Sequence, residues 1–255
     1  MSSLLFLLVA EVMALKIRNS DEIHGIQIGI EPRREIKLTQ LADDTTLFLK
    51  NDTDIMKALD LIDIFGQMSG LKLNRAKTEG LWVGNYKNKH HKLASINWSN
   101  EVKALGIYFG HDRRKCEYLN WENKLQQCQR LINHFNTRHL TMISRVHIIK
   151  TYLLPKFIYL FQSLRLPKEY EAKIDKMLFS FLWNGKIERI KRSTLVQNYD
   201  RGGLNMININ HFIAAIKLKW LISFTHSRSI YNGSLSSLFN LNQYCGCSTF
   251  IRKNT

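Results

Sequence analysis

Two adjacent carboxylates, Asp43 and Asp44, sit between two short runs of apolar and β-prone residues. Glu35-Ile36-Lys37-Leu38-Thr39-Gln40 precedes them, and Thr45-Thr46-Leu47-Phe48-Leu49 follows. The pattern predicts a tight β-hairpin with acids at its tip. Carboxylates placed there offer oxygens to a hard cation such as Mg2+. Metals held by such acids can clamp the attacking and leaving oxygens of phosphoryl transfer. The pair alone also fits a solvated turn, because Asp favours turns through local hydrogen bonds. Its surroundings have to decide between the two.

The elements that must position the pair can be read from capping residues and periodicity. Ser2 or Ser3 can cap a helix from about Leu4 to Arg18. Ile23–Gly29 alternates as a strand does. Asp52 or Thr53 can cap a helix through about Ser69, with Ile55, Leu59, Ile62 and Phe65 at helical spacing and Gly70 as its stop. Leu71–Leu73 and Gly80–Gly84 read as short strands, residues 85–100 as a loop, and Val102–Tyr108 with its continuation as a hairpin. From Leu119 the pattern turns helical. Trp121–Asn136, Thr141–Leu164, Lys168–Trp183 and His211–His226 are the candidates, and Pro155 should kink or end the second. Trp98, Trp121 and Trp220 read as core or partly buried anchors rather than base-stacking platforms. From residue 227 the chain is Ser/Asn-rich, the composition of a mobile tail.

Charge is segregated along the chain. The 255 residues carry a formal net charge of +16, with a sequence pI of about 9.8, which points to a polyanionic partner. Residues 1–112 hold 14 basic and 14 acidic residues, whereas residues 113–255 hold 23 basic and 7 acidic. The whole excess therefore lies in the second half. A hydrophobic content of 45% suffices for a packed core in one domain or two subdomains. The four cysteines are too few and too irregularly spaced for a disulfide scaffold. Cys245 and Cys247 form one Cys-x-Cys pair, which does not complete a four-ligand zinc site. The apolar run Leu4–Ala10 is short, is interrupted by Glu11 and lacks a basic leading region, unlike a signal peptide. No stretch approaches the roughly 20 apolar residues of a membrane span.

An ordered series of motifs surrounds the acidic pair. It comprises Ala42-Asp43-Asp44, then Ser69-Gly70-Leu71-Lys72-Leu73-Asn74 with Lys77-Thr78, then Leu105-Gly106-Ile107. Further on come Thr141–Lys150, Phe179-Ser180-Phe181-Leu182-Trp183 and Gly202-Gly203-Leu204-Asn205. The series resembles the reverse transcriptases of non-LTR (LINE-type) retrotransposons, from Ser2 to about Leu221. The resemblance implies an α+β fold: a partial polymerase palm, antiparallel sheet with helices, over residues 1–112. A mainly helical thumb would follow over 113–226, and the polar tail over 227–255. Asp43 would be a direct Mg2+ ligand with Asp44 auxiliary. Lys77 would neutralise or protonate departing pyrophosphate. Leu105 and Gly106 would form the primer grip, glycine letting another backbone approach closely.

Phosphate contacts in the thumb are expected from Arg138, Arg145, Lys150, Lys156, Lys186, Arg189, Lys191 and Arg192, densest near Trp183 and Tyr199. Arg113, Arg114 and Lys115 form a second patch at the palm–thumb junction. Such an enzyme takes an RNA template, a DNA primer and deoxynucleoside triphosphates, and works in the nucleus, although the sequence carries no clear localisation signal.

The same comparison shows a gap. Ser2-Ser3-Leu4-Leu5-Phe6 resembles the tail of the family's Gln-Gly-x-x-x-Ser motif, and the palm strand bearing the other metal-binding Asp should lie upstream. Two neighbouring aspartates cannot make a two-metal site alone. The expectation is a C-terminal fragment with absent or very weak polymerase activity. Two alternatives stand beside it. One is a non-catalytic basic nucleic-acid-binding module or transposon relic. The other is a chain left unstable by apolar surface made to pack on missing parts.

Overall fold

The computed structural model describes residues 3–28, 34–88, 93 and 95–226. Between Asp112 and Arg113 the chain divides into two compact units. The first mixes helices with short strands, and the second is helical.

The first unit opens with α1, Ser3–Arg18, which carries no glycine or proline. Ala10, Ala14 and Ile17 recur at helical spacing and are buried. A short stretch ending in Gly25 leads to β1, Ile26–Ile28, which pairs antiparallel with β2, Arg34–Ile36. After Lys37 the same run continues as β3, Leu38–Leu41, antiparallel to β4, Asp44–Leu47. Then α2, Asp52–Ser69, crosses back. Ala14, Ile17, Ile23, Leu38, Ala58 and Ile62 form one buried cluster, with Met13, Leu47, Leu49, Leu61 and Leu73 packed against it. Alanines at 0% exposure on both helices, Ala14 and Ala58, leave little side chain between the two backbones.

Capping fixes where α2 begins and ends. Its N-cap is Asn51, one residue before the expected Asp52 or Thr53, and its side chain accepts from the Asp54 N–H at 2.9 Å. Asp52 and Asp54 fall in the first turn, where the helix dipole favours acids. Gly70 ends the helix in the left-handed region at φ 76°, as expected. Asp54 is buried, and its Oδ1 accepts from the His24 backbone N–H and faces His24 Nδ1, each at 3.1 Å. The stretch entering β1 is thereby pinned to the first turn of α2. Gly25 is required there, since a Cβ would stand 2.3 Å from the Ile36 carbonyl oxygen.

The antiparallel pairing expected of the first unit takes the form of short ladders. Among the described residues the strands pair two by two into four ladders. β5, Glu79–Gly80, pairs with β6, Asn97–Trp98, in parallel, and β7, Glu101–Ala104, pairs antiparallel with β8, Ile107–Gly110. Leu71–Leu73 is not a strand, and Gly84–Tyr86 forms a 3-10 turn. Trp98 stacks on Trp82, with ring centroids 4.1 Å apart.

The second unit begins with α3, Arg113–Asn136, eight residues before its expected start. Thr141 caps α4, Met142–Ile148, by accepting from the Ser144 N–H. A π-helical segment, Ile149–Leu153, then leads into α5, Pro155–Ser163. The expected disturbance at Pro155 is thus taken up by a wider turn, in which the Leu154 N–H reaches the Ile149 carbonyl at 2.9 Å. α6 is Lys168–Leu182, α7 is Arg192–Val196 and α8 is Ile209–His226. Trp121, Phe157, Phe161, Ile174, Leu178 and Phe181 are fully buried. The Gly202-Gly203 pair has two separate causes. Gly202 is left-handed at φ 74°, and a Cβ on Gly203 would meet the Gln197 carbonyl oxygen at 2.0 Å. The tail and the Cys245/Cys247 pair lie outside the described residues.

Opposite its buried face, α1 presents Leu5, Leu8, Val12 and Leu15 to solvent, Leu8 at 66% exposure. Leu8→Gln should therefore leave the unfolding free energy within about 0.5 kcal/mol while lowering dye binding to apolar surface. Ala14→Leu should cost about 1–3 kcal/mol by overpacking the helix contact, read by urea denaturation. In the second unit burial pushes the Cys128 thiol up to about 11, and its Sγ lies 3.6 Å from the Leu153 carbonyl oxygen. At pH 8.5, where an ordinary thiol is about half ionised, native Cys128 should resist iodoacetamide and react only after denaturation. Peptide mass mapping reads that difference.

Candidate functional site

The acidic hairpin has the expected form. Its register pairs Leu38 with Leu47, Thr39 with Thr46, Gln40 with Thr45 and Leu41 with Asp44, leaving Ala42-Asp43 as a two-residue loop. Ala42 takes φ 52°, whereas Asp43 keeps a negative φ, the sign pattern of a type II′ turn. That position is normally glycine's, and an alanine there carries a steric cost of about 1–2 kcal/mol. The hairpin's base is held by buried Leu38 and half-buried Leu47, while Leu41, Asp43 and Asp44 are exposed. Two adjacent carboxylates thus stand on a tight turn in solvent, anchored from below by the α1–α2 cluster.

Lys77 lies in a turn shaped by Asn74. The Lys77 N–H donates to the Asn74 carbonyl at 3.1 Å and to its side-chain oxygen at 3.2 Å, and the Thr78 hydroxyl donates to the same carbonyl at 2.8 Å. The Asn-x-x-Lys-Thr spacing therefore has a local cause, an Asx-type turn, and the Lys77 side chain is exposed. Among the described residues Lys77 makes no ion pair with Asp43 or Asp44. Leu105 and Gly106 form the two-residue loop between β7 and β8, both left-handed at φ 48° and 82°, the type I′ pattern. Among the described residues no three His, Cys, Asp or Glu side chains converge on one point, and two neighbouring aspartates do not fill a two-metal site.

In the second unit the expected phosphate contacts divide by environment. Arg145 is buried at 3% exposure and donates from Nη1 to Asn136 Oδ1 and the Phe181 carbonyl, each at 2.9 Å. Its guanidinium also lies over the Phe181 ring, and desolvation lowers its pKa. Arg145 is therefore a structural core group, which corrects its assignment to the phosphate-binding surface. Arg192 is paired through two hydrogen bonds to Glu188 at 2.9 and 2.6 Å, and stacks 4.2 Å above the Phe179 ring. Hydrogen bonding to Arg192 holds the Glu188 carboxyl below its usual range. Arg113 pairs with Glu117 at 2.8 Å on the first turn of α3, beside exposed Arg114 and Lys115. Arg138 is exposed and lies over Phe135. Lys150 is half-buried, whereas Lys156, Lys186, Arg189 and Lys191 are exposed.

Residues 113–226 hold 20 basic and seven acidic side chains. Glu117, Glu122, Glu169 and Glu188 already face cations of the same unit. The unit's own carboxylates therefore do not neutralise the exposed lysines and arginines. Ile187 and Ile190, exposed at 85% and 46%, were not singled out in the sequence. The available signal was two apolar side chains inside a basic run with no periodicity to bury them.

No protein-family model matches the chain. Over 164 residues, 61% of its length, the chain is 26% identical to the Transposon TX1 uncharacterized 149 kDa protein of Xenopus laevis. The matched part is 12% of that protein, so the chain corresponds to a small portion of its length. The likeness supports a transposon origin for the chain.

The turn geometry can be checked directly. Ala42→Gly should raise the unfolding free energy by up to about 1 kcal/mol, because relief of the left-handed alanine exceeds glycine's extra chain entropy. A lower urea midpoint in this variant would mean that the hairpin turns differently.

Proposed function

We propose that this chain is part of a retrotransposon RNA-directed DNA polymerase, the end of its palm and its helical thumb. On its own it acts as a nucleic-acid-binding module without polymerase activity. The observation that carries the reading is the strained Ala42-Asp43 turn, which holds two carboxylates in solvent between short strands. Local backbone cost concentrates at functional turns, and a purely solvated turn gains nothing from an alanine in that conformation. In the intact enzyme Asp43, with Asp44 beside it, would contribute to Mg2+ binding, and the metal would activate the primer hydroxyl. Two neighbouring aspartates do not fill a two-metal site, so Asp43 and Asp44 would need further ligands supplied by that intact enzyme. Lys77, Leu105 and Gly106 keep their expected roles toward pyrophosphate and primer only within that intact enzyme.

Binding is the activity that the chain's own residues can support. The exposed cations of the second unit suit a primer–template duplex through phosphate contacts, which fix position without reading sequence. If six to ten such contacts form, affinity should fall by about 10³–10⁵ between 50 and 200 mM salt. Fluorescence anisotropy with a labelled RNA–DNA primer–template should show that fall, with Asp43→Asn unchanged in the absence of Mg2+. Primer extension with Mg2+ and deoxynucleoside triphosphates should give no product. Robust extension lost in Asp43→Asn would replace the binding-module reading with a catalytic one. Flat salt dependence would remove the phosphate contacts.

A further inference from the structure

The segment between α6 and α7 is held at both ends while its middle is presented to solvent. At its start, Asn184 and Gly185 are both left-handed, at φ 53° and 72°. The Gly185 N–H reaches back to the Ser180 carbonyl at 2.8 Å, and the Lys186 N–H to Trp183 at 3.0 Å. Two left-handed residues in succession turn the chain sharply off the end of α6. At its far end, Arg192 stacks on Phe179 and grips Glu188 through both carboxylate oxygens. That clamp joins the loop to the surface of α6 and cancels the loop's single negative charge against Arg192.

What remains uncancelled is Lys186, Arg189 and Lys191, all exposed. Among them stands Ile187, exposed at 85%, the highest value of any large apolar side chain described. A branched apolar residue held out in water by a pinned loop has no role in the fold's own core. A cluster of three cations around it selects a polyanion with apolar surface between its charges. Nucleic acid has this character, with phosphates outside and sugar and base faces within reach, and isoleucine is among the side chains that wedge against base steps. An anionic bilayer fits less well, since stable surface anchoring needs a broad apolar face or a lipid chain rather than one or two isoleucines.

We infer that the loop Lys186–Lys191 grips nucleic acid by two unlike contacts, with Lys186, Arg189 and Lys191 on phosphates and Ile187 against a sugar or base face. The inference rests on the binding activity proposed above and names the element that adds a salt-independent part to it. Phosphate contacts weaken as salt rises because they release counterions, at about 0.9 in the log–log slope for each contact on a duplex. An apolar contact releases none, so its loss lowers affinity by the same factor at every salt concentration.

The experiment measures binding of the full chain to a 20-base-pair RNA–DNA hybrid by anisotropy, between 50 and 300 mM salt. Ile187→Ser should weaken binding about tenfold throughout with an unchanged slope, and Ile187→Leu should restore most of it. The triple variant Lys186→Ala, Arg189→Ala, Lys191→Ala should instead flatten the slope by about two to three. Thermal melts should be unaltered for Ile187→Ser, because the side chain is not packed. If the wild-type chain binds the hybrid and Ile187→Ser binds equally well, the inference is wrong while the binding reading survives. If the wild-type chain fails to bind at 50 mM salt, both fall. Capture by phosphatidylserine vesicles without hybrid binding would overturn both in favour of a membrane contact.

Discussion

Everything in the first unit hangs on the contact between two helix faces of small residues. Ala14 on α1 and Ala58 on α2 are both fully buried, and Ile17, Ile23, Leu38 and Ile62 close around them. Small side chains at such a crossing let backbones approach, and larger neighbours then fill the margin at interior density. Leu38 stands out among them because it is the buried foot of the acidic hairpin. Only two residues separate it from Leu41, so the turn bearing Asp43 is carried on a short lever whose base is core. The His24–Asp54 contact works in the same direction, tying the chain before β1 to the first turn of α2. A site that must hold charge in solvent is best built on elements that cannot themselves shift.

The second unit solves a different problem, that of keeping a strongly positive body folded. Its acids are placed largely within ion pairs on its own surface, at α3, α6 and the α6–α7 loop. Exposed pairs of this kind add little stability each, so the fold rests on Trp121 and the phenylalanines of α5 and α6. Arg145 belongs with that core. Its two hydrogen bonds to Asn136 and the Phe181 carbonyl join the end of α3 to the end of α6 through α4. A buried arginine that satisfies a carbonyl resists replacement, since removing it strands the partners without solvent. Position in the fold, and not residue type, separates this arginine from those that can meet a phosphate.

Much of this was legible in the sequence, and the parts that were not share a cause. The end of α1 at Arg18, the stop of α2 at Gly70 and the start of α6 at Lys168 follow from capping residues and apolar periodicity, which are local properties. The acidic hairpin was legible because a two-residue turn imposes its own register. The lack of a strand at Leu71–Leu73 and the division of the strands into two-stranded ladders were not, since strand pairing is decided by partners distant in sequence. The early start of α3 at Arg113 was hidden by charged residues that give no apolar period. Arg145 looked like its neighbours because burial leaves no mark on a single arginine in a basic helix. Ile187 was passed over for the opposite reason: an apolar residue is assumed to be inside unless the structure places it outside.

The two units also store unfavourable arrangements in different ways. At the hairpin, cost is stored in the backbone: Ala42 occupies a conformation that favours glycine, and the carboxylates beside it repel one another. A bound cation would relieve that repulsion. On the α6–α7 loop, cost is stored in hydration, with Ile187 in water among exposed Lys186, Arg189 and Lys191 on a loop tied down by the Arg192–Glu188 clamp. A polyanion with apolar faces would relieve both at once. In each place the chain retains an arrangement that is unfavourable in isolation and is held by a rigid anchor, Leu38 in one case and Phe179 with Arg192 in the other. The hairpin lacks converging ligands among the described residues, while the loop needs nothing beyond the side chains it already presents. The proposed grip on nucleic acid therefore draws only on side chains already on the loop, whereas holding a cation at the hairpin would take further ligands.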